Sequence, residues 1–144
     1  MQSAHAQQSQ PASNGVEERL VVERHKFAWF PQIILIGIFS WAVVTKFTGH
    51  AGALADKLPG GNAAIWMIST VELIALALLL IPRTAVQGAV VAGMVMFFAI
   101  TAHLSGVVGF EGPFLYMFVL AIIGFSCAVA IVMLRWDQIT KHGW

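Results

Sequence analysis

The sequence has little cysteine and little charge. Its one cysteine, Cys127, cannot form a disulfide within the chain or supply a CxxC dithiol. In-chain dithiol redox chemistry is thereby excluded. Cys127 lies in an apolar run and reads as a packing residue. Charged residues make up 10% of the chain, whereas a soluble domain carries about 25%. The formal net charge of +1 gives no bulk field to attract nucleic acid, so none is expected as a partner. With 58% hydrophobic residues, the chain has too little polar surface to stay dissolved alone. A single-domain polytopic membrane protein is expected, with the lipid bilayer as its first partner.

Residues 1–26 lack the apolar runs of the remainder. Residues 1–15 are rich in Gln, Ser and Ala and read as a disordered tail, without the basic start and apolar core of a secretory signal. Residues 16–26 mix Glu17, Glu18, Arg19, Glu23, Arg24 and Lys26 with Leu20, Val21 and Val22, as an interfacial segment would.

Four apolar stretches follow, at about 28–47, 63–82, 84–104 and 113–134. Each has roughly the 20 residues a spanning helix needs. The predicted fold is therefore an all-α integral membrane four-helix bundle occupying 27–135, with a short tail at 136–144. Pro31 falls in the first turn of the first span, where its missing N–H costs nothing. Pro82, Arg83 and Thr84 leave only a tight turn between the second and third spans, making them antiparallel neighbours. Ala85, Ala89 and Gly93 form a small-residue stripe on the third span. Ala121, Gly124 and Ala128 offer a similar face on the fourth. Trp29, Trp41, Trp66, Phe97, Phe98, Phe114, Tyr116 and Phe118 read as lipid-facing or belt residues.

An even number of spans puts both termini on one side. That side holds Arg19, Arg24, Lys26, Arg83, Arg135 and Lys141, and the other holds Lys46 and Lys57. The imbalance predicts cytoplasmic termini. Arg135, Asp137, Lys141 and His142 are expected to close the chain outside the hydrocarbon.

One carboxylate interrupts the second span. Glu72 lies about nine residues, or roughly 14 Å, inward from the start of its helix. A charged group at the centre of a span costs roughly 2.5–3.5 kcal/mol on insertion scales, so Glu72 needs a partner, a proton or water. It shares a helical face with Ser69 and Ala75. Lys46, at the far end of the first span, can snorkel outward or bend toward it. His103 shares a face with Ala99, Met96, Ala92 and Ala89, so it too points into the bundle or bonds a loop carbonyl. Glu72 is either a structural carboxylate that sets helix register or a proton-handling or ligand-binding group. His50 lies in a glycine-rich loop and reads as solvated. With His103 it matches no metal or haem ligand spacing.

The chain resembles the DoxX family of small four-helix membrane proteins over about 34–134. The resemblance rests on Thr45-Lys46-Phe47-Thr48-Gly49 closing the first span and Val71-Glu72-Leu73 before a leucine run. It rests also on the turn at Pro82-Arg83-Thr84-Ala85 and on Ala102-His103-Leu104 late in the third span. Ala75 and Ala77 stand where the family pattern often has glycine, and the tail before the first span is longer. The resemblance implies a bacterial inner-membrane protein associated with redox systems that feed quinone. Its expected role is accessory subunit of such a complex, partnered by other membrane subunits or by copies of itself. A quinone-binding subunit in which Glu72 or His103 passes a proton, with Lys46 tuning the ligand site, is the alternative. A small oligomeric transporter is a third reading. No cofactor motif is evident, and quinone is the one cofactor the resemblance allows.

Overall fold

The computed structural model describes residues 27–49 and 51–136. The tail at 1–26, His50 and residues 137–144, with Asp137, Lys141 and His142, lie outside the described residues. Among the described residues five helices appear in order: α1 (Trp29–Phe47), α2 (Gly52–Ala55), α3 (Gly61–Leu80), α4 (Ala85–Leu104) and α5 (Pro113–Leu134). No strand occurs among the described residues. All but the four-residue α2 are long and apolar enough to cross a membrane. This is a multi-pass membrane protein with an all-α bundle of four spanning helices.

The helices form a closed ring. α1 packs on α3 and α5, and α4 packs on α3 and α5. Short connections force antiparallel neighbours, so the start of α1, the end of α3, the start of α4 and the end of α5 share one end, here the termini end. The loops before α3 and α5 lie at the other, the loop end. The core is built from Leu35 and Phe39 of α1, Ala75 and Leu79 of α3, Ala89, Ala92 and Met96 of α4, and Ala121, Ala128 and Ile131 of α5. No span buries more than 39% of its apolar window within the bundle, so lipid must cover the rest.

Local chemistry explains where the helices stop. Helix α3 starts two residues earlier than its apolar run suggests, because Gly60 takes a φ of 102° that turns the chain into it. It ends at Leu80 because Ile81 precedes Pro82 and is extended, at φ −94° and ψ 115°. Thr84 donates its hydroxyl to the Leu78 carbonyl at 2.9 Å, filling one of the acceptors that α3 leaves open. The turn brings α4 against α3 at Gly88, where a Cβ would lie 2.7 Å from the Leu79 nitrogen. The closest approach is therefore at Gly88, one residue from the predicted stripe. Gly93 instead faces Ala128 on α5.

Two readings of the aromatics change. Trp29, Trp41, Trp66, Phe97, Phe98 and Tyr116 are exposed on the bundle surface, as lipid-facing residues should be. Phe114 is buried, and Phe118 stacks near the His103 and Phe110 rings. They belong to the start of α5, which folds inward under the loop.

Candidate functional site

Helix α1 carries two polar residues on its inward stripe. Gln32, Leu35 and Phe39 are buried on it, and Lys46 lies two turns further on. The stripe therefore delivers one polar group to each end of the bundle.

At the loop end, Lys46 reaches Glu72. Its Nζ donates to both carboxylate oxygens, each at 2.5 Å. The Lys46 side chain is 11% exposed and that of Glu72 5%, so the pair is largely sealed from its surroundings. Glu72 reaches this position because α3 turns Ile65, Ser69, Glu72, Ala75 and Leu79 inward. Ser69 does not join the pair; its hydroxyl donates to the Ile65 carbonyl. With both oxygens engaged, the carboxylate and the ammonium answer each other's charge in a medium that penalises either alone.

Lys46 of the pair borders a pocket of about 300 Å³ at the loop end. Lys46, Asn62 and Ser69 give it polar points, and Phe47, Ile65 and Trp66 give it apolar walls. Phe47 and Trp66 meet edge to face at 5.4 Å and close one side. An ammonium has three N–H groups, and Glu72 takes two of them. The lysine at the pocket wall retains a donor for a further acceptor.

His103 is not a companion of Glu72. Its Nδ1 lies 2.8 Å from the Ala99 carbonyl and its Nε2 3.1 Å from the Phe114 carbonyl. A neutral imidazole has one N–H and donates to one of these oxygens at a time. Buried at 4% exposure beside the Phe110 and Phe118 rings, His103 ties the end of α4 to the start of α5. It reaches that place because α4 is antiparallel to α5 and the loop at 105–112 folds back over the helix end. Val108 donates its N–H to the Ala102 carbonyl at 3.2 Å in that fold.

At the termini end the structure reveals a polar clamp that the count of charges alone did not expose. Gln32 Nε2 donates to the Leu79 carbonyl at 2.6 Å. Arg135 Nη2 donates to Gln32 Oε1 at 2.8 Å, and its Nη1 to the Pro82 carbonyl at 3.1 Å. Arg135, just past the last residue of α5, is only 3% exposed. The end of α3 leaves carbonyls unsatisfied; Gln32 takes that of Leu79, and Arg135, just past α5, takes that of Pro82 in the turn beyond. Burial lowers the Arg135 pKa from its ordinary value, although arginine remains protonated in proteins. One signal in the sequence could have found the clamp: Gln32 is a lone amide three residues before Leu35 on a face that otherwise packs.

Among the described residues, no three His, Cys, Asp or Glu side chains come together as metal ligands would. Lys57 stands over the Phe114 ring at 5.7 Å. Cys127 is half-buried against the core. Compared with known proteins, the chain matches no family model, no curated protein and no solved structure.

Proposed function

We propose that this is a DoxX-like protein of the bacterial inner membrane, with cytoplasmic termini, acting as an accessory subunit of a quinone-linked membrane redox system. The observation that carries the reading is the Lys46–Glu72 pair, closed on itself beneath an amphipathic pocket. An acid and a base that satisfy each other within the bundle serve to join α1 and α3, while the pocket offers a docking point for a partner or small ligand. Extraction from native membrane in mild detergent tests this. The chain is expected to travel in a larger assembly containing a redox-active subunit. Recovery only as a solitary chain, with no redox subunit alongside, would remove the reading.

A second reading draws on the pocket itself. Aromatic and aliphatic walls beside a lysine donor suit a quinone ring with a carbonyl acceptor. In it, Glu72 exchanges a proton when ligand draws Lys46 away. Glu72→Gln preserves shape and removes titration. Unchanged quinone-linked turnover in that variant would end the proton role while leaving the accessory role standing.

A further inference from the structure

The described charges are unevenly placed. Asp56 and Glu111 lie in the connections at the loop end, and Glu72 is paired there with Lys46. The termini end has Arg83 and Arg135 and, among the described residues, no acid. Among the described residues, Arg135 is therefore a buried cation without an anion. Its partners are an amide oxygen and a backbone carbonyl, and its buried Nε–H has no partner among the described residues. Arg83 is exposed on the α3–α4 turn, the residue after Pro82, whose carbonyl Arg135 holds. It too has no partner among the described residues.

A second feature ends at the same place. An apolar groove of about 890 Å³ runs along the seam of α4 and α5. Gly93, Met94, Phe98, Val129 and Met133 line it, and Trp136, directly after Arg135, borders it. Gly93 leaves the seam open, with no side chain of its own in the groove. Arg83 stands just before the first turn of α4, and Trp136 just past the last turn of α5. One molecule with an anionic head and an apolar chain fits this combination: the groove takes the chain, and exposed Arg83, beside the buried charge of Arg135, takes the head.

We propose that the termini end binds an anionic phospholipid, its phosphate at Arg83 within the field of Arg135 and one acyl chain in the α4–α5 groove. Phosphate is the anion whose geometry the guanidinium fork matches. An uncompensated charge in a low-dielectric surrounding is felt strongly by a neighbouring anion. The indole of Trp136 belongs at the headgroup level, where its apolar ring and N–H are both satisfied. This site is independent of the pocket beside Lys46 and of any redox role.

The full chain, purified in detergent, is tested by native mass spectrometry and thermal unfolding with phosphatidylglycerol, phosphatidylcholine or inorganic phosphate added. Phosphatidylglycerol is expected to bind about tenfold more tightly than phosphatidylcholine and to raise the melting temperature. Arg83→Gln alters an exposed turn residue without a fold role and should weaken that preference about fivefold. Val129→Trp fills the groove and should weaken retention of both lipids. Arg135→Gln should weaken the headgroup preference about twofold, and Arg83→Gln keeps the test readable if that variant unfolds. Equal binding of the two lipids would overturn the proposal, as would an Arg83→Gln protein with undiminished preference. Displacement of the lipid by inorganic phosphate at equal concentration would also overturn it, by making the site one for a free oxyanion.

Discussion

Lys46 Nζ holds both oxygens of Glu72, and this one contact spans the interface of α1 and α3. It places an acid within the span of α3 and its base near the end of α1. Neither group could enter the bundle alone at tolerable cost.

Removing one partner should therefore be worse than removing both. Lys46→Met or Glu72→Leu alone leaves a buried charge uncompensated and should cost about 3–5 kcal/mol. The double variant should recover much of that loss. Unfolding in mixed detergent micelles, analysed as a double-mutant cycle, measures the difference. Additive losses from the two single changes would mean that the pair is not coupled in the membrane.

The clamp at the termini end makes a parallel prediction. Gln32→Leu keeps the volume but strands the Leu79 carbonyl and one face of the Arg135 guanidinium. A loss of about 1–3 kcal/mol is expected. Gln32→Glu should behave differently, because a carboxylate can still accept from Arg135 but no longer donates to Leu79. The same unfolding assay should rank wild type above Gln32→Glu and both above Gln32→Leu.

Helix proximity is tested by two glycines on α4. A Cβ on Gly88 would meet the Leu79 nitrogen at 2.7 Å and the Leu78 carbonyl carbon at 2.9 Å, both backbone atoms that cannot step aside. Gly88→Ala should destabilise by about 1–3 kcal/mol through overpacking. At Gly93 the nearest atom is the Ala128 Cβ at 3.5 Å, an ordinary contact. Gly93→Ala should be close to neutral, and a penalty as large as that of Gly88→Ala would contradict the packing described.

His103 separates a structural role from a chemical one. His103→Leu removes the N–H shared between the Ala99 and Phe114 carbonyls and should release the loop at 105–112. Faster amide exchange in that loop is the expected readout, with a stability loss of about 1–2 kcal/mol. Quinone-linked activity, if the protein supports one, should persist in proportion to folded protein. Activity abolished in a variant with normal exchange would restore His103 to the chemistry.

Much of the bundle was legible because apolar length is a one-dimensional property. The fourth span is predicted at 113–134, where α5 lies, and the others shift by no more than two residues at either end. Where α3 moved, the cause was local: Gly60 opens the turn before it, and Pro82 makes Ile81 extended. The inward faces carrying Glu72 on α3 and Gly124 on α5 followed from helical spacing alone. Spacing on one helix cannot say which of two candidate bases arrives from another. Lys46 and His103 were equivalent in that respect, and the carbonyls of Ala99 and Phe114 separate them.

By itself the sequence determined the class of solvent, the number of spanning helices and the presence of an acid that needed company. These follow from transfer free energies summed along the chain, which depend on residue type and order only. The tertiary structure alone decided that Lys46 is the companion, that His103 fastens a loop, and that Gln32 and Arg135 close the opposite end. Those outcomes depend on how far each side chain reaches once four helices have been rotated to bury their smallest faces. That rotation is set by steric fit between residues distant in the chain, such as Gly88 against Leu79.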